Sequence, residues 1–124
     1  MNEIRCKRIY DLPDETDGFR ILVDRLWPRG VKKDAAHIDF WAKDIAPSNE
    51  LRQWFGHAPE RFSEFAALYF AELNANEESV PFLEVINSAF SAGNVTLLYG
   101  TRDTVCNHAA ILQEWIEEKT SESN

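Results

Sequence analysis

Two stretches hold the residues whose types and spacing stand out chemically: "DRLWPRG" at 24–30 and "GTRDTVCNH" at 100–108. Arginine forks grip carboxylates and phosphates, and a carboxylate beside them is a candidate proton donor or acceptor. Asp24, Asp103 and His57 are therefore the candidate acid–base residues. Arg25, Arg29, Arg52, Arg102 and Asn107 are the candidate ligand-binding residues, with Trp27 as a wall. The same charges also have a structural reading, an internal bridge of Asp24 with Arg102 or of Arg25 with Asp103, because a buried charge is costly unless paired.

Other chemistries find less support. Cys106 is expected in the first turn of the last helix, where a thiolate would be stabilised. A phosphatase-like cradle would end in an arginine after a five-residue loop, whereas "NHAAI" follows Cys106, so this residue reads as small packing. His37, His57 and His108 show neither HxH nor HExxH spacing, and no metal site is expected. GxxxxGK[ST] and GxGxxG are absent, and no cofactor is expected.

These residues need a scaffold. The 124-residue chain is the size of one domain, able to bury roughly two-thirds of its unfolded surface. Its 44% apolar and 27% charged content is ordinary for a globular protein. No export signal or membrane-length apolar run occurs, and Cys6 and Cys106 form no CxxC pair, so a cytoplasmic location without disulfides is expected. A net charge of −8 disfavours generic duplex nucleic acid and anionic membrane as partners. Residues 20–33 nevertheless carry five basic residues against Asp24, a local +4 that leaves −12 elsewhere, and such an island can hold a small anion.

The pattern predicts a strand over Ile4–Tyr10 and a second over Phe19–Leu26, preferably paired as a hairpin. Ile38, Trp41 and Ala42 sit at helical spacing. Ser48 caps a short helix that ends at Gly56, and Pro59 opens another with Phe62, Phe65, Tyr69 and Leu73 inward. A further helix carries Phe82, Ile86 and Phe90 and stops at Gly93. Val95–Tyr99 is the clearest strand, followed by a helix capped by Thr104 with Val105, Ala109, Leu112 and Ile116 inward. The expected architecture is a small α/β domain over residues 1–116, about three strands with at least two parallel, covered by four to six helices, with 117–124 as a flexible acidic tail. In such sheets ligands gather beyond the carboxyl ends of the strands, where both charged stretches fall.

The segments "KRIYD", "DGFRILVDRLWPRGV", "WAKDIAPSNELRQWFGH", "RFSEFAALYFAEL" and "VTLLYGTRDTVCNHAAIL" resemble the domain of unknown function 488 family, in its short YeaO-like branch, over about nine-tenths of the chain. The resemblance implies a small bacterial cytoplasmic α/β protein and supplies no activity. It singles out Asp24, Arg25, Trp27, Pro28, Arg29 and Gly30, then Pro47, Ser48, Leu51, Arg52 and His57, then Arg102, Asp103 and Asn107. Cys106 departs from that pattern, which weighs further against a nucleophile.

Two functions follow. In one, the strand ends hold a small phosphorylated or carboxylated molecule, with or without catalysis. In the other, Trp27, Trp41 and Trp54 with the arginines form the surface of a non-catalytic interaction module; the sequence specifies no oligomer.

Overall fold

The computed structural model describes residues 2–122. Four strands, β1 (Ile4–Arg8), β2 (Phe19–Leu22), β3 (Phe40–Trp41) and β4 (Val95–Tyr99), form a wholly parallel sheet in the order β1-β4-β2-β3. Five helices accompany it: α1 (Lys33–Ala36), α2 (Asn49–Phe55), α3 (Phe62–Ala75), α4 (Ser79–Ala92) and α5 (His108–Glu122). The α/β class is as expected, with one strand more than the pattern revealed.

β4 occupies the interior of the sheet, and every residue of "VTLLY" is buried. That is the signature of a parallel strand covered on both faces. Alternation divides its side chains. Val95, Leu97 and Tyr99 join Ile21 and Val23 in the main core, into which α2, α3, α4 and α5 press their apolar stripes. Leu98 and Leu22 face the other way into a small cluster with Ile9 and Ala36, closed by Trp27, Val31, Ile38 and Trp41.

Four local expectations are corrected. β1 and β2 are not a hairpin: both pair parallel with β4, one on each side. The segment between them returns the chain to the starting edge with a 3-10 turn at Glu15–Asp17, so a parallel connection needs no helix here. The spacing of Ile38, Trp41 and Ala42 does not make a helix. α1 ends after one turn at His37, left-handed at φ 50°, and Phe40–Trp41 then pairs with Ile21 and Leu22. β2 stops at Leu22 rather than Leu26. At the far end, α5 starts at His108 and runs to Glu122, so residues 117–122 of the expected tail are helical; Ser123 and Asn124 lie outside the described residues.

A buried charge network fixes the opposite end of β2. Arg20, 4% exposed, donates to Asp17 Oδ2 at 2.5 Å and to the carbonyls of Ala36 and His37. Asp17, 3% exposed, also accepts from Lys7 Nζ and from the Asp14 N–H. Gly18, at φ 66°, then lets the chain pass Asn94, whose carbonyl oxygen would lie 2.0 Å from an added Cβ.

Burial pushes the Asp17 carboxyl up, but the Asp14 N–H, Lys7 and Arg20 outweigh it and hold the group below the usual carboxylate range. A carboxyl so depressed contributes stability above its unfolded pKa of about 4 and loses it as pH falls through the lower folded value. Urea midpoints should therefore be level in Asp17 ionisation above about pH 5 and fall below about pH 4. Asp17→Ala strands Arg20 and should cost about 3–5 kcal/mol at neutral pH, measured by urea denaturation.

Candidate functional site

Parallel pairing brings the carboxyl ends of β2 and β4 to one edge, and there the two charged stretches meet. Val23 still donates to the Leu98 carbonyl, after which the chain leaves the ladder and Asp24 turns its side chain across the gap. Asp24 Oδ2 accepts the Gly100 N–H at 2.9 Å. His108 Nε2, at the start of α5, lies 3.0 Å from Asp24 Oδ1 and 3.1 Å from the Val23 carbonyl. Both neighbours are acceptors, an arrangement that suits a proton on Nε2. One carboxylate thus joins two strand ends and a helix. Neither expected bridge, Asp24 with Arg102 or Arg25 with Asp103, is formed among the described residues.

Above this junction opens a cleft of about 420 Å³. Its polar lining includes Asp24, Arg25, Arg52, His57, Asn107 and His108. Its apolar lining includes Leu26, Ala46, Pro47, Phe55, Phe65 and Cys106. Local structure sets each position. Ser48 caps α2 by accepting the Leu51 N–H, while Glu72 holds the Ser48 hydroxyl and N–H. Arg52 lies on the exposed side of α2, and its guanidinium makes no hydrogen bond or ion pair among the described residues. Gly56 and His57 follow in succession at φ 54° and 57°, turning the imidazole to the cleft mouth. A left-handed histidine costs roughly 1 kcal/mol or more.

Arg25 is half engaged: Nη2 donates to the Ala46 and Pro47 carbonyls at 3.0 and 3.2 Å, and Nε donates to Pro47 at 3.4 Å. On its other side lies a second hollow of about 320 Å³, shared with Asp44 and Glu72.

The loop after β4 is held by its own side chains. Asp103 Oδ1 accepts the N–H groups of Cys106 and Val105 at 2.8 and 2.9 Å. Those two bonds, with His57 nearby, hold its carboxyl below the usual range despite slight desolvation. Asn107, 2% exposed, accepts the Ala110 N–H and donates to the Asp103 carbonyl. Asn107, not Thr104, therefore caps α5, and Cys106 lies in the loop before the helix rather than in its first turn. Val105, expected inside, is 72% exposed. Cys6, by contrast, packs away from the cleft under α5, where burial pushes its thiol up to about 12.

Of the candidate residues, Asp24, Arg25, Arg52, His57 and Asn107 line the cleft, whereas Trp27, Arg29, Arg102 and Asp103 do not. Trp27 donates to the Val31 carbonyl and packs edge-on against Trp41, whose Nε1 donates to the Asp24 carbonyl. Lys33, Lys43 and Arg61 lie over the rings of Trp27, Trp41 and Trp54 respectively. Each tryptophan named for a contact surface thus carries a cation of its own chain. His108 was not among the candidates, although its place just after a strand-end loop, at a helix start, signals it. Among the described residues no group of three or more His, Cys, Asp or Glu is placed to hold a metal. Nor is any helix among them long and apolar enough to cross a membrane.

These features define a small α/β protein with a mixed polar and apolar cleft at the carboxyl edge of a parallel sheet. The chain belongs to the DUF488 family: residues 3–124 match the branch described as the inactive DUF488-N3 subclade. It is similar to the uncharacterized protein YeaO of Escherichia coli (strain K12), 43% identical over 113 residues that cover 91% of this chain and 96% of that one. It is also similar to the uncharacterized protein Rv3073c of Mycobacterium tuberculosis (strain ATCC 25618 / H37Rv), 42% identical over 111 residues covering 90% and 91% of the two chains. No solved structure matches it. The resemblance carried by "VDRLWPRG" and "APSNELRQWF" is thereby confirmed.

Removing the Asp24 carboxylate should leave the Gly100 N–H without its acceptor. Asp24→Ala should cost about 1–3 kcal/mol and Asp24→Asn less, because an amide oxygen can still accept from Gly100. Denaturation midpoints, with hydrogen exchange at the Gly100 amide, measure both.

Proposed function

We propose that this protein binds a small anionic molecule, phosphorylated or carboxylated, in the cleft beyond β2 and β4, and binds it without turning it over. One observation carries the reading: the cleft presents a cationic fork, Arg52, that no group among the described residues neutralises. An unpaired guanidinium at a concave site is a ready carboxylate or phosphate receptor. Arg25 adds the remaining end of a second fork, and the first turn of α5 adds a positive dipole end.

Catalysis fits the same residues less well. A general base must be free to take a proton within hydrogen-bond reach of the substrate. Asp24 accepts from Gly100 and faces His108 Nε2, and Asp103 is held by two backbone amides that depress its basicity. That leaves His57 without a second acid–base partner among the candidates. The description of the family branch as inactive accords with a binding role.

A thermal-shift series with inorganic phosphate, phosphate monoesters and small organic acids tests the proposal. A ligand at a hundred times its dissociation constant should stabilise by about 2.7 kcal/mol, a rise of several degrees in a domain of this size. Arg52→Ala should abolish the rise while leaving the unliganded midpoint within about 0.5 kcal/mol, since Arg52 is exposed. No rise with any anion, or an undiminished rise in Arg52→Ala, refutes it.

A further inference from the structure

Resting on the reading that this cleft takes an anion, we infer that its ligand is a monocarboxylate with an apolar, ring-sized body rather than a phosphate. The charge of the lining sets the first half of this assignment. Only Arg52 offers a complete fork, because Nε and Nη2 of Arg25 are bonded to the Ala46 and Pro47 carbonyls. Carbonyls do not neutralise Arg25, so the lining sets Arg25 and Arg52 against Asp24, whose side chain is 21% exposed, and balances one further negative charge. A phosphate monoester carries about −1.5 to −2 at neutral pH, more than the two arginines and one carboxylate of the lining balance. A carboxylate carries a single charge, and its two oxygens match the planar fork bidentately.

The apolar half of the lining sets the rest. Phe55 and Phe65 stack face to face at 4.2 Å and 3°, and both reach the cleft from the core. Pro47, Cys106 and Leu26 continue that surface. Leu26 is 68% exposed, yet it stands over a cavity, where an apolar ligand would cover it. An ion without a body would leave this surface wet. The volume of about 420 Å³ lies in the lower half of the range for small-molecule sites and suits one ring with a short acidic arm.

The test is a calorimetric or NMR titration of the full chain with acetate, phenylacetate, phenylacetamide, phenyl phosphate and inorganic phosphate at pH 7. Phenylacetate should bind at least tenfold more tightly than acetate and than phenylacetamide, and more tightly than phenyl phosphate. Leu26→Ser, an exposed position that should not disturb folding, should weaken phenylacetate several-fold and leave acetate unchanged. Equal binding of acetate and phenylacetate overturns the apolar body, and tighter binding of phenyl phosphate overturns the carboxylate; either result leaves the anion reading standing. Phenylacetamide equal to phenylacetate, or silence from all five compounds, overturns this inference together with the proposed function.

Discussion

A parallel sheet ends in a row of backbone groups that have run out of ladder partners, and in this protein a single carboxylate closes that row. Asp24 takes the Gly100 N–H just after β4 and faces the imidazole that opens α5. Gly100 suits the junction because an added Cβ would stand 3.0 Å from Asp24 Oδ2, so a larger residue would press on the oxygen that holds it. The next shell follows from the same junction. Trp41 grips the Asp24 carbonyl, and Trp27 packs against Trp41, so the small cluster beneath the sheet supports the site edge as well as covering Leu22 and Leu98. With both strand ends and the helix start fixed together, the cleft has a rigid floor.

Around that floor the polar residues divide into those that hold the chain and those that face outward. The basic run of residues 20–33 suggests one positive patch, but the fold takes it apart. Arg20 is buried with Asp17, Arg25 is half consumed by the 46–47 carbonyls, and Lys33 lies over Trp27. Arg29 is exposed and takes no part in the cleft. The guanidinium facing the cavity with all its donors free comes instead from α2, in the form of Arg52. Local charge density in a sequence is thus a poor guide to a site when the segment crosses from core to surface within a few residues.

Where one physical signal ruled, the sequence was readable. "VTLLY" had to be a buried strand, and Ser48 with Gly56 bounded α2 because each satisfies or ends backbone groups locally. The stripes Phe65–Tyr69–Leu73 and Phe82–Ile86 were core for the same reason of spacing. Sheet order was not readable, because pairing β1 and β2 to opposite sides of β4 depends on long-range contacts that no local pattern encodes. The α5 cap shows a closer contest. Thr104 and Asn107 are both capping types, and Asp103 decides between them by engaging the amides of Val105 and Cys106 in a turn. For the site, Asp24, Arg25, Arg52, His57 and Asn107 did converge. Trp27, Arg29 and Arg102 did not, because the chain turns away at Pro28 and Gly30 on one side and at the Asp103 turn on the other.

The acids that make this edge stable are also the ones an enzyme would need to leave free. The Asp24 carboxylate accepts a backbone N–H on Oδ2 and lies 3.0 Å from the His108 imidazole through Oδ1, which is buried without a hydrogen-bond partner among the described residues. Asp103 accepts two backbone amides, both on Oδ1. His57 differs, since it is exposed at the cleft mouth and sits in a left-handed conformation that glycine would adopt at no cost. Its ring packs beside Phe55 at the cleft mouth, just past the end of α2, as left-handed His37 sits at the end of α1. On the proposed reading the ligand anion lies with His57 and Arg52 on its exposed side and the stacked phenylalanines beneath its apolar body. On that reading the ligand is recognised by charge and shape.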